Sequence, residues 1–143
     1  YKRENIILEE LIKRKIDLIC LAGYMKLIPE KIINHYRNCI LNIHPSLLPK
    51  HGGKGLYGKN VHESVIASGD KLSGVTIHFV DEEYDRGEIL VQEKVDVKSD
   101  DTPISLSHRI LKIEHKLYSL AIKAFCEDKI IWEEGIPLLK ELK

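Results

Sequence analysis

Apolar positions along the chain change their period several times, and each change marks an element. Ile6, Ile7, Leu11 and Ile12 recur at helical spacing, and Lys13, Arg14 and Lys15 suit the last turn, where unpaired carbonyls favour cations. Residues 16–21, IDLICL, are a continuous apolar run ended by Gly23, the pattern of a strand covered on both faces. Pro29 suits the first turn of a short helix reaching Tyr36. Residues 39–43, CILNI, predict a second buried strand. Helix, strand, helix, strand in this order predicts a parallel α/β sheet.

Beyond a glycine-rich loop at 52–58, NVHESVIASG reads as a helix stopped by Gly69. The period then becomes two. Val75, Ile77 and Phe79 share one face, Thr76, His78 and Val80 the other, and Ile89, Val91, Val95 and Val97 alternate again after DEEYDRG. That predicts two antiparallel strands joined by an acidic connection. Thr102 and Pro103 supply cap and first residue of a long helix, whose apolar stripe is Leu106, Ile110, Ile113, Leu117, Leu120 and Ala124. IIWEE, 130–134, reads as a closing edge strand. No internal repeat or low-complexity linker interrupts the pattern.

A chain of 143 residues with 43% apolar residues fits a single domain, 1–143, with a real core. Lys+Arg and Asp+Glu are equal at 22 each, so no basic face for nucleic acid is implied. No apolar run reaches the roughly 18 residues of a membrane span, and charges interrupt the apolar stretch at the start, unlike a secretory signal. Cys20, Cys39 and Cys126 are far apart and odd in number. They predict reduced thiols in a cytoplasmic protein, each packed as a small hydrophobe.

The candidate chemistry begins at LNIHPSLLPKHGG, 41–53. Ligands of parallel α/β folds sit beyond the carboxyl ends of strands, where Asn42 and His44 fall. Pro45 restricts His44 to extended geometry, a rigid mount for catalytic groups. An amide can donate to a developing oxyanion, and an imidazole can carry a proton. Asp85, in the acidic turn just before Gly87, is the third candidate. A carboxylate folded back over the strand exit would orient His44 and raise its pKa, and Gly87 would supply a backbone shape closed to other residues. Asp81, Glu82 and Glu83 read as a solvated hairpin. GKGLYGKN, 53–60, resembles a phosphate loop, but Asn60 replaces the magnesium-holding hydroxyl and no strand precedes it. The glycines read instead as a flap. His51, His62 and His78 match no metal-ligand spacing. His62 is placed to line the pocket, and His78 reads as structural.

NIHPSLLP, followed by GVTIHFVDEEYDRGEIL and preceded by LAGYMKLIP, 21–29, closely resembles the phosphoribosylglycinamide formyltransferases over essentially the whole chain. The proline of NIHPS separates this branch from methionyl-tRNA formyltransferases and formyltetrahydrofolate deformylases, and KHGGKGLYGKN resembles a sub-group with an extended flap. The resemblance implies a three-layer Rossmann-like α/β fold with a mostly parallel sheet and an antiparallel portion. It implies formyl transfer from 10-formyltetrahydrofolate to glycinamide ribonucleotide, in purine biosynthesis, without a metal. By resemblance the catalytic residues are Asn42, His44 and Asp85. Folate contacts fall on Met25, Lys26, Ile28, Val80, Asp81, Glu82, Glu83, Tyr84 and Asp85, largely through backbone. Substrate contacts fall on Asn42, Pro45 and Glu114. At 100° per residue Glu114 sits on the flank of the last helix's stripe, a place for a pocket-rim carboxylate or a surface ion pair. Leu111 stands where some members use a polar residue for the phosphate. Partners are small molecules, with no nucleic acid or membrane, and a homodimer is allowed.

Family members begin with a strand and a glycine/serine-rich phosphate loop that this sequence lacks. The expectation is therefore the C-terminal two-thirds of the family fold, with Tyr1 inside it, binding substrate poorly as it stands. In the expected mechanism Asn42 and protonated His44 stabilise the oxyanion while Asp85 helps remove the amine's proton. The rivals are a formyltetrahydrofolate hydrolase using the same residues with water as acceptor, a non-catalytic folate-binding fragment, and a nucleotide-binding regulatory domain.

Overall fold

A computed structural model describes residues 2–140, so the expectation for Tyr1 lies outside the described residues. The elements are α1 (Lys2–Lys13), β1 (Ile19–Leu21), α2 (Glu30–His35), β2 (Ile40–His44), α3 (Lys59–Ser68), β3 (Leu72–Phe79), β4 (Ile89–Asp96), α4 (Pro103–Cys126), β5 (Ile130–Glu133) and β6 (Ile136–Leu139). The main sheet has the order β1-β2-β3-β4. The predicted parallel pairing is β1 with β2, across Ile19/Ile40 to Leu21/Asn42. The antiparallel portion is the larger among the described residues, because β2–β3 and β3–β4 both run antiparallel. The excursion through 45–71 returns to the end of the sheet where it left, so β3 must run back along β2.

Strand alternation then sorts side chains onto two faces. Leu41, Ile43, Val75, Ile77 and Phe79 meet Val65 of α3 and Leu106, Ile110, Leu117 and Ala121 of α4 in the larger core cluster. Ile40 meets Ile32 and Ile33 of α2 and Tyr36, which caps its C-terminus, in a second cluster, with Leu8 and Leu11 of α1 at its margin. The sheet is thus sandwiched between helix pairs, the three-layer arrangement expected. Tyr118 ties α4 to the parallel pair, its hydroxyl placed 2.7 Å from the Leu21 carbonyl and 3.1 Å from that of Leu41.

The predicted helices form where their caps stand. Thr102 and Ser105 make the reciprocal cap of α4, and Gly69, at φ 72°, ends α3. The α4 stripe packs toward one side: Ala121 is buried and Leu120, predicted inside, is exposed. Two expectations fail at the periphery. IIWEE does not close the main sheet; among the described residues β5 pairs with β6 alone, across a Glu134–Gly135 turn with both φ values positive. Trp132 of this hairpin rests against Phe79, with ring centroids 4.8 Å apart. The cysteines are free, but Cys20 and Cys126 are exposed and Cys39 is half-buried. Cys20 is exposed because β1 is a sheet edge among the described residues, although Tyr118 and Cys126 of α4 approach its thiol.

Candidate active site

Asn42 and His44 lie on the sheet face shared with Ile40, beyond the part that α2 covers. Their register partners on β3 are His78 and Thr76. All four polar side chains therefore share one patch at the carboxyl end of β2. Two loops roof it. The first, 45–58, is pinned by Thr76: its hydroxyl donates to the Ser46 carbonyl at 2.7 Å and accepts from the Leu48 amide at 3.0 Å and from Gln92 at 2.9 Å. Buried on all sides, that hydroxyl uses its full bonding capacity. The second loop, 80–88, carries Asp85.

The three predicted catalytic residues converge. His44 Nδ1 is 3.6 Å from Asp85 Oδ1. His78 Nε2 lies at 3.6 Å from the same oxygen and 3.1 Å from the Asn42 amide nitrogen, which donates to it. His78 Nδ1 donates to the Phe79 carbonyl at 2.9 Å, which leaves Nε2 as acceptor in the neutral ring. Among the described residues, the second N–H of Asn42 and its oxygen have no hydrogen-bond partner. On the other side of Asp85, the Gly53 amide donates to Oδ2 at 2.9 Å. His44 Nε2 lies 2.8 Å from the His51 carbonyl, so it carries the proton and Nδ1 faces the carboxylate with its lone pair.

The electrostatics differ from the expectation in one respect. Asp85 was expected to raise the His44 pKa. Burial of a ring only 4% exposed lowers it instead, and outweighs the Asp85 carboxylate and the His51 carbonyl, which pull the other way. Burial pushes Asp85 up, yet the His78 side chain in the form that donates to it, the Gly53 amide and the charge of a protonated His44 hold it below the usual carboxylate range. The resting pair is thus a neutral imidazole facing an ionised carboxylate.

Gly87 plays a different part from the one expected. The left-handed residue is Asp85, at φ 53°. Gly87 is needed for space, since a Cβ there would lie 1.7 Å from the Phe79 carbonyl oxygen. A register shift between Ile77 and His78 lets β4 fold in at this point, and such bulges re-aim side chains beside functional sites.

A cavity of about 870 Å³ opens onto Asn42, His44, Pro45 and Asp85, with Met25, Tyr84, His62 and Glu114 in its walls. All three predicted substrate-binding residues, Asn42, Pro45 and Glu114, line it. Of the predicted folate set, Met25, Tyr84 and Asp85 do so. Ile28 and Val80 pack in the second core cluster. Glu82 pairs with Arg37 at the surface, and Asp81 accepts from the Glu83 amide at 2.8 Å. Lys26 is outside the cavity wall. His62 lines the pocket as expected, with Nδ1 buried and unpartnered. Among the described residues, no group of three or more His, Cys, Asp or Glu is placed to hold a metal ion.

Among the described residues Glu114 has no hydrogen-bond or ion-pair partner, and burial pushes its carboxyl up to about 7. A raised folded-state pKa costs stability progressively as pH rises from the unfolded value, about 4.3, to about 7. Glu114→Gln is therefore expected to stabilise the protein at pH 8 by about 1–2 kcal/mol, discounted for partial exposure, with no gain at pH 4. Urea unfolding at the two pH values checks this; equal effects at both would remove the argument.

His78, the His51 carbonyl and the Gly53 amide were missed from sequence. Only the pairing of β2 with β3 brings His78 opposite Asn42. The sole hint was its place on the polar side of an otherwise apolar alternation.

A family model described as Formyl transferase matches residues 1–122. A chloroplastic phosphoribosylglycinamide formyltransferase of Arabidopsis thaliana is 51% identical over 135 residues, 94% of this chain and 46% of the relative. The crystal structure of a phosphoribosylglycinamide formyltransferase from Anaplasma phagocytophilum matches with TM-score 0.87 and 37% identity, covering 97% of this chain and 66% of that one. A formyltetrahydrofolate deformylase from Pseudomonas syringae pv. tomato matches at TM-score 0.84 but 25% identity, over 96% of this chain and 44% of that one. The chain spans about half the length of the curated relatives it matches.

Proposed function

The chain belongs to the formyl transferase family, and from that premise we propose that its site moves a formyl group from 10-formyltetrahydrofolate to the primary amine of glycinamide ribonucleotide, a step of purine biosynthesis. The observation that carries the reading is the meeting of Asn42, His44 and Asp85 in one cavity, with His44 Nδ1 at 3.6 Å from Asp85 Oδ1. The whole of 1–143 acts as one formyltransferase domain in this reading, supported by two core clusters built on opposite faces of one sheet.

The chemistry follows from the resting protonation states. The amine nitrogen attacks the formyl carbon, a C–N bond forms, and the carbonyl oxygen becomes an oxyanion. The free N–H of Asn42 donates to that oxygen. The amine's proton passes to the His44–Asp85 pair, whose neutral imidazole is the acceptor. The imidazolium so formed, facing the Asp85 carboxylate, steadies the oxyanion. It then protonates the folate nitrogen as the bond from that nitrogen to the formyl carbon breaks. One proton leaves the amine and one reaches the leaving nitrogen, so the pair returns to its starting state. This revises the expected mechanism, because His44 enters as a base and becomes charged only during the reaction.

Folate contacts are assigned to Met25, Lys26, Ile28 and 80–85, and nucleotide contacts to Asn42, Pro45 and Glu114. Met25, Tyr84 and Asp85 of the first set and all three residues of the second line the cavity, which supports their contact with ligand. The substrates are small molecules and the compartment is a reducing one such as the cytoplasm, in keeping with three free cysteines. Among the described residues no helix is long and apolar enough to cross a membrane.

The test is a formyl-transfer assay on the complete protein with both substrates. Donor consumption is expected only when the amine acceptor is present. Equal consumption without it would replace this reading with the hydrolase one. Folate binding in calorimetry without any turnover would leave only a binding module.

A further inference from the structure

We propose that His51 is a positioning residue for the reaction assigned above: its side chain, clamped between Ser64 and Asp70, fixes the turn 51–53, whose main chain grips both His44 and Asp85. The inference rests on that functional reading for its kinetic consequence, but its structural content stands apart.

The clamp is well defined. His51 Nδ1 lies 2.7 Å from Ser64 Oγ and Nε2 lies 2.8 Å from Asp70 Oδ2. Ser64 sits on α3, and Asp70 follows Gly69, the residue that ends α3. Both ring nitrogens are thereby anchored to one rigid element. The backbone of His51 is left-handed, at φ 55°, a conformation that a residue with a Cβ keeps only when its surroundings hold it. Two contacts to the reacting pair leave from this short turn. The His51 carbonyl accepts from His44 Nε2 at 2.8 Å, and the Gly53 amide donates to Asp85 Oδ2 at 2.9 Å. Gly52 between them is pressed against the same neighbours: a Cβ there would stand 2.4 Å from Leu48 Cδ2 and 3.4 Å from Asp85 Cβ. One side-chain clamp therefore sets the position of both partners in the His44–Asp85 pair.

Ser64, His51 and Asp70 also have the order of a nucleophile, base and carboxylate. None of them lines the reaction cavity, and their chain of contacts ends on a carbonyl that orients His44. Positioning accounts for the arrangement, and no chemistry at Ser64 is required. With the clamp gone, residue 51 relaxes out of the left-handed region, its carbonyl turns, and both contacts fail together.

The test combines histidine NMR and kinetics on the complete protein, with Asp70→Asn as the principal variant and His51→Ala as the second. Thermal unfolding confirms that each is folded. In the wild type the His44 Nε2–H is expected to be protected from exchange, and in both variants that protection falls at least about tenfold. Turnover is expected to fall by about 10–10² through misplacement of the pair, with KM for donor and acceptor each within about twofold. The double variant is expected to be no slower than His51→Ala, since both changes break one clamp. Unchanged His44 protection in both folded variants, or losses that multiply in the double variant, would overturn the proposal. If the wild type transfers no formyl group, the functional reading fails, while the NMR comparison still decides the role of His51.

Discussion

Asp85→Asn in the complete protein is expected to lower kcat by about 10²–10³, the scale of losing one preorganised electrostatic partner of the transition state. The variant keeps the size of the side chain and can still accept from the Gly53 amide. What it loses is the negative charge 3.6 Å from both His44 and His78. Burial already drives the His44 pKa down, and Asp85 is the largest influence opposing it. Without that charge the imidazolium formed during attack has no counter-ion in a buried site, so the step that creates it slows. The sign of the pH effect follows. In the proposed mechanism neutral His44 is the active form, so kcat/KM is expected to rise with pH through its pKa, with the acid limb below the ordinary imidazole value of about 6.5. Asp85→Asn should move that limb to still lower pH while reducing the plateau. A pH–rate profile measures both. A variant with near-normal kcat, or an acid limb displaced upward, would remove Asp85 from the role assigned to it.

Gly87→Ala is expected to destabilise the protein by about 3 kcal/mol, at the upper end of the usual overpacking cost. The added carbon would stand 1.7 Å from the Phe79 carbonyl oxygen and 2.7 Å from its carbon, and both are backbone atoms that no rotamer change can move. The neighbouring bond from the Phe79 amide to the Glu88 carbonyl, at 2.9 Å, closes the same hairpin end and would be lost or stretched. Asp85 lies two residues upstream in the loop that must shift, so catalysis should fall with stability. A displacement of about 1 Å is enough for a loss near 10². Urea unfolding and turnover below the unfolding transition separate the two effects. Stability within about 0.5 kcal/mol of wild type would show that the hairpin yields more easily than its packing implies.

The elements legible in the sequence share a local cause. α3 and α4 were readable because caps, glycine stop and apolar stripe all lie within their own residues. β3 and β4 were readable because alternation reports a sheet with two unlike faces. β6 was missed since four residues, IPLL, are too short for any period to declare itself, and the Glu134–Gly135 turn was the remaining clue. The cysteines were misplaced for a related reason. Residue type predicts average burial, whereas exposure of Cys20 depends on which neighbours β1 has.

Asn42, His44 and Asp85 could be singled out from their place at a strand exit and in an acidic turn, and from the resemblance carried by NIHPSLLP. Their residue types already limited the chemistry to proton transfer and oxyanion stabilisation, since side-chain functional groups are a local property. Tertiary structure decided the direction of the His44 pKa shift, the inclusion of His78 and the clamp at His51. Desolvation depends on everything packed around a group. Likewise, a neighbour across a sheet or loop is chosen by register and chain return, quantities that no window of sequence contains.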